Sequence, residues 1–110
     1  MSGWIGVDLD GTLAKYDGWD GSIGEPIPAM AERVREWLAN DREVRIFTAR
    51  VGSGDPEEAE YERKHIQDWT EKHFGKRLTV TATKDFAMVE LWDDRCIQVE
   101  INTGRRMDGK

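Results

Sequence analysis

Apolar and polar residues alternate from the first stretch of the chain. In "WIGVDLDGTLA", Ile5, Val7 and Leu9 fall on one side with period two, which predicts a strand over residues 4–10. Asp8 and Asp10 lie on its other side. Residues 11–28 hold four of the eleven glycines and two of the three prolines, the signature of a loop, with a small hairpin expected around "DGWDG". Pro28 suits the first position of a helix, and Met30, Val34, Trp37 and Leu38 then recur at helical spacing to about Asn40. "EVRIFTAR" predicts a second strand, in which Val44, Ile46 and Thr48 alternate with Arg45, Phe47 and Ala49. "VGSGDPEE" is a loop ending in a helix start: Asp55 as cap, Pro56 at the first position, Glu58 three residues after the cap. That helix is expected to run toward Gly75 and to bury Ala59, Ile66, Trp69 and Phe74. "RLTVTAT", "AMVELW" and "CIQVEI" predict three more strands, and "NTGRRMDGK" a frayed polar tail.

Strands alternating with helices predict a single α/β domain over residues 1–110, with its core in 1–103 and a tail over 104–110. Its central sheet is expected to be mainly parallel and flanked by helices. Such sheets bind ligands beyond the carboxyl ends of their strands. Asp8, Asp10, Thr48, Asp93 and Asp94 are therefore expected on one rim, and Lys84 follows the third strand. Composition agrees with a globular chain: 38% apolar and 35% charged residues. No apolar run approaches the ~18 residues of a membrane span. The lack of a basic-then-apolar leader, and the single Cys96, lead to the expectation of a cytoplasmic protein. The net charge of −6 disfavours non-specific binding to nucleic acid or anionic membrane. Most of the acids read as a solvated surface.

The acids of the rim are different. Paired carboxylates at the end of an apolar strand cost stability, because they repel each other and lose water. A hard dication relieves both costs, and magnesium with two or three carboxylate contacts keeps positions open for phosphate oxygens. One carboxylate can then attack phosphorus while the other moves protons. Magnesium and a lysine offset charge on the transferred phosphoryl group. The Gly-Thr turn after Asp10 is expected to offer backbone N–H groups to phosphate, with no Cβ on Gly11 in the way.

With these residues in view, the chain resembles the haloacid dehalogenase superfamily, aspartate-nucleophile phosphohydrolases of Rossmann-like fold. "DLDGTLA" looks like its first motif, "RIFTAR" its second, the lysine of "TATKDF" its third and "VELWDDR" its acidic fourth, in family order over Trp4–Asp94. The resemblance implies a magnesium-dependent phosphomonoesterase with Asp8 as nucleophile, forming an aspartyl-phosphate. It implies Asp10 as general acid/base, also offering its backbone carbonyl to the metal. Thr48, with the N–H of Ala49, would bind phosphate, and Lys84 would neutralise Asp8 and the phosphate. Asp93 would ligate magnesium directly and Asp94 through water.

Other readings stand beside these. Thr48 reads equally as a strand threonine and Lys84 as a solvated loop residue. Arg50 either clamps a substrate phosphate or pairs with Glu57 or Glu58, and Arg95 has similar options. Trp37 and Trp69 read as core, and Trp92 as packing beside the acidic pair. Trp19 reads as a packing residue, with stacking on a nucleobase or sugar as the alternative. His65 and His73, eight residues apart, are too distant for one metal site. The intervals between motifs leave no room for a cap domain, so the site is expected to be open unless an oligomeric partner covers it. The expected ligand is a phosphorylated small molecule, or the phosphate of a nucleotide or nucleic acid. "TARVGSGDPEEAEYERKHIQDW" is weakly similar in layout to the phosphatase part of polynucleotide kinase–phosphatases. Two alternatives to turnover remain: a degenerate domain that only binds a phosphorylated ligand, and a receiver-like signalling domain, whose acids occur in another order.

Overall fold

The computed structural model describes residues 3–109. Its elements are β1 (Trp4–Val7), α1 (Pro28–Ala39), β2 (Glu43–Phe47), α2 (Pro56–Phe74), β3 (Thr79–Thr81) and β4 (Met88–Trp92), with a single 3-10 turn at Ala49–Val51. The four strands form one all-parallel sheet in the order β3-β2-β1-β4. β1 is central, and all four of its residues are buried.

Local chemistry explains the helix boundaries. Pro56 opens α2, and the Asp55 side chain accepts from the Glu57 N–H at 2.9 Å, which satisfies one orphan donor of the first turn. The reciprocal half of a capping box does not form. Ser53 Oγ, not Glu58, accepts from the Asp55 N–H. Gly75 ends the helix in the left-handed region (φ 74°), where a Cβ is unfavourable. Pro28 opens α1 as expected, although no side chain caps it.

Both helices pack on the same side of the sheet. One core cluster joins Ile5, Val7, Val44, Ile46 and Val80 of the strands to Met30, Ala31 and Val34 of α1, and to Ile66 and Trp69 of α2. The sheet is parallel and carries helices, as expected, but among the described residues its opposite side has none. Trp4 covers it instead. A Cβ on Gly6 would lie 3.1 Å from the Trp4 ring, so glycine is what lets the indole lie flat across β1. Arg45 sits over that ring at 4.6 Å, and Phe47 stacks at 6.5 Å. The chain passes from β3 to β4 through residues 82–87 on this face. Asp85 fastens it, accepting from Trp4 Nε1 at 2.7 Å and from Arg45 Nη1 at 3.4 Å.

Three more expectations change. "CIQVEI" is not a fifth strand: residues 96–101 join no sheet and leave Ile97 and Ile101 exposed. The expected tail is not frayed within the described residues. It turns back, with Glu100 N–H donating to Arg105 O at 2.7 Å and Met107 N–H to Gln98 O at 2.9 Å. Within the first loop, the paired stretch is not "DGWDG". Lys15 N–H donates to Glu25 O and Ile27 N–H to Leu13 O, so residues 16–24 form an irregular flap between two tied ends. Among the described residues, no helix is long and apolar enough to cross a membrane.

Candidate functional site

Strand register brings the acids together. Val7 pairs with Trp92, so the next residues out of the sheet, Asp8 and Asp93, stand side by side. The ladder extends one step further, with Asp8 N–H donating to Trp92 O at 2.9 Å. Thr12 then joins Asp8 to Asp94. Its hydroxyl lies 3.3 Å from Asp8 Oδ2 and 3.0 Å from Asp94 Oδ1, and accepts from the Asp94 N–H at 2.9 Å. Asp93 Oδ1 accepts from the Arg95 N–H at 2.8 Å, which turns the chain sharply after β4. Gly11 sits in the left-handed region (φ 90°), and a Cβ there would fall 2.9 Å from Asp94 Oδ2. The glycine is therefore required both by its backbone and by the carboxylate it faces.

Crowding shows in the electrostatics. Partial burial, then the charge of Asp93 and the contact with Asp94, push the Asp8 carboxyl up to about 7 from its ordinary 3.8. Asp94 moves the other way, chiefly because the Thr12 hydroxyl hydrogen-bonds its carboxylate. Oxygen atoms of Asp8, Asp93 and Asp94 lie within 4.8 Å of one another. Around magnesium, ligand oxygens stand about 3 Å apart when adjacent and about 4 Å when opposite. A small closing of this triangle makes it a hard, all-oxygen donor set, so the residues fit such an ion. The Asp10 carboxylate is not part of the triangle; the contact expected of Asp10 is through its backbone carbonyl.

Arg50 holds Asp10 instead. Nε and Nη2 of Arg50 donate to the two Asp10 carboxylate oxygens, both at 2.8 Å, in a bidentate fork. The same guanidinium donates to Ser22 O at 2.7 Å and reaches Gly21 O and Glu62 Oε1, each at 3.5 Å. Its side chain is only 4% exposed. Every N–H direction is engaged within the protein, so Arg50 as it stands has none left for a substrate phosphate. Its ion-pair partners are Asp10 and Glu62, not Glu57 or Glu58. Glu62 belongs to no motif; its only sequence signal is an acidic residue on the otherwise apolar side of α2, four before Ile66.

The cleft between these groups has a volume of about 670 Å³. Its walls include Asp8, Asp10, Thr48, Ala49, Arg50, Asp93 and Asp94, so seven of the nine predicted site residues meet there. Thr48 is buried, and its hydroxyl accepts from the Arg50 N–H at 3.1 Å. Gly11 lies beside the cleft, against Asp94, but its N–H is spent on Ala14 O at 2.8 Å. Of the N–H groups that the Gly-Thr turn is expected to offer to phosphate, this one is engaged within the protein. Lys84 is exposed on the β3–β4 crossing and does not line the cleft. It precedes Asp85, whose ties to Trp4 and Arg45 draw the segment across the helix-free face.

The tryptophans follow expectation except at Trp19. Trp69 is core, and its Nε1 donates to Gly24 O at 3.1 Å. Trp37 is half-buried and meets Trp92 at 5.3 Å, so Trp92 packs against α1 beside the acidic pair. Trp19 packs in no core: it is 61% exposed, lines the cleft, and rests on the Arg50 guanidinium at 4.5 Å. His73 lies against Trp69 and His65 near Tyr61, both away from the acids.

No family model matches the chain, and neither a curated protein nor a solved structure does. What the arrangement can do follows from its own chemistry. Six carboxylates and two guanidiniums line the cleft. A phosphate dianion meets net repulsion there unless a dication comes with it.

Proposed function

We propose that this chain is a magnesium-dependent phosphomonoester hydrolase, with Asp8 as the nucleophile. The observation that carries this reading is the triangle of Asp8, Asp93 and Asp94, set by strand register at the carboxyl end of the sheet beside Thr48. The resemblance of "DLDGTLA", "RIFTAR" and "VELWDDR" to phosphohydrolase motifs supports it independently.

Magnesium bound to the triangle supplies charge neutralisation for the incoming phosphate and for the crowded acids. The rest is done by the protein. With its carboxyl pushed up to about 7 in the bare site, Asp8 is partly protonated at neutral pH, and positive charge that offsets Asp93 and Asp94 favours the carboxylate needed for attack. It then attacks phosphorus, forming a P–O bond as the ester P–O bond breaks and the leaving oxygen takes a proton. Water cleaves the acyl phosphate in the second step and restores the free carboxylate. Thr48, which lines the adjoining wall, is the proposed holder of a phosphoryl oxygen. Asp10 lines the same cleft and is the proposed proton donor to the leaving oxygen.

A second reading has specific support. Asp10 is tied on both oxygens, and Lys84 lies outside the cleft. These favour a domain that binds a phosphorylated ligand with magnesium without turning it over. One assay separates the two. Hydrolysis of a chromogenic aryl phosphate with magnesium is expected for the native chain and is expected to vanish in Asp8→Asn. Equal rates in both would remove Asp8 as nucleophile. Magnesium-dependent binding of phosphate without any hydrolysis would favour the second reading.

A further inference from the structure

We infer that the ligand carries a planar ring, a nucleobase on a mononucleotide, and that Trp19 is the surface on which the ring stacks. This rests on the reading of the acidic cleft as a site for a phosphomonoester. The starting observation is a tryptophan out of place. Trp19 is 61% exposed and absent from the apolar core, yet it is held in position. Arg50 backs the ring at 4.5 Å, and that guanidinium is itself fixed by Asp10, Ser22 O, Gly21 O and Glu62. The flap is stiffened from within as well. Asp20 Oδ1 accepts from the Ser22 N–H at 2.9 Å and from the Ser22 hydroxyl at 2.6 Å.

An exposed indole on a polar loop gains nothing from burial. A rigid one presents a large flat surface and loses little entropy when a ligand stacks on it. Tyr16, on the same flap and 45% exposed, lines the cleft beside it. The cleft, at about 670 Å³, exceeds what a phosphate alone requires and lies within the range of small-ligand sites. The acidic walls select against a polymer. A mononucleotide brings one phosphate to the metal-binding triangle, whereas a nucleic acid brings many along a surface of net negative charge.

Calorimetry tests this in steps. Inorganic phosphate with magnesium is titrated into the native chain, which checks the underlying reading alone. Adenosine 5′-monophosphate and ribose 5-phosphate are then titrated with magnesium into Asp8→Asn, so that neither is consumed. The nucleotide is expected to bind roughly 5- to 150-fold more tightly than the sugar phosphate, the range for stacking one base on an aromatic side chain. Trp19→Leu in that background is expected to erase the difference, and Trp19→Phe to retain most of it. Equal binding of the two ligands overturns the inference, as does a difference that survives Trp19→Leu. Tighter binding of a short 3′-phosphorylated oligonucleotide than of the mononucleotide overturns the choice of a small ligand. If inorganic phosphate does not bind the native chain, the reading of the cleft fails and the inference falls with it.

Discussion

Removing the proposed nucleophile is expected to stabilise the metal-free protein. The register that sets Asp8 beside Asp93, with Asp94 in contact and water partly excluded, moves its carboxyl from 3.8 to about 7. In the unfolded chain Asp8 ionises near pH 4; in the folded chain it keeps its proton until about 7. Below the first value both states are protonated and nothing is lost. Between the two values the folded state holds a proton that the unfolded state has released, so its stability falls as pH rises, and levels off above 7. At about 1.4 kcal/mol per pKa unit, the full interval corresponds to about 4 kcal/mol. Asp8 is partly exposed to the cleft, and screening by solvent reduces this to about 2 kcal/mol. An asparagine in its place would have the same shape and no charge to suppress. For a domain of 110 residues, about 4 °C per kcal/mol gives an advantage of about 8 °C to Asp8→Asn at pH 8. Thermal melts with a chelator at pH 4 and pH 8 measure it, and the difference should be small at the lower pH. Added magnesium at pH 8 should raise the native chain more than the variant, because binding to the folded state stabilises by mass action. A variant that melts at or below the native chain at pH 8 without metal would refute the account of crowded, repelling acids.

Three other substitutions probe the supports of the site. Arg50→Met leaves Asp10 and Glu62 facing each other without a counter-charge; a loss of about 3 kcal/mol is expected in denaturant melts, and less than about 1 kcal/mol would show the fork to be ornamental. Gly11→Ala forces a Cβ toward Asp94 Oδ2 at a φ of 90°, so magnesium affinity by calorimetry should fall about tenfold or more. Unchanged affinity would mean that Asp94 is not held by that turn. Thr12→Val removes the hydroxyl shared by Asp8 and Asp94 while keeping the volume, and should weaken magnesium by a similar factor at a cost of about 1 kcal/mol in stability. Full magnesium affinity in that variant would show the shared hydroxyl to be dispensable for the triangle.

Local pattern alone determined much of this protein. Period-two apolar runs mark β1 and β2, and the Asp-Pro and Gly signals mark both ends of α2, because these depend on neighbours within a few residues. Asp8, Asp93, Asp94 and Thr48 could be assigned to one rim for a similar reason: acids placed directly after an apolar strand emerge at its carboxyl end in a parallel sheet. What tertiary structure decided is the pairing between distant groups. Arg50 meets Asp10 and Glu62 across 40 and 12 positions, and no periodicity encodes that choice. Trp4 replaces a second layer of helices because Gly6 leaves room beneath its ring and Asp85 is delivered to its indole nitrogen by the crossing from β3. That same crossing carries Lys84 away from the acids. "CIQVEI" alternates like a strand yet finds no neighbouring strand, since alternation states a preference for pairing and only the finished sheet supplies, or withholds, an edge.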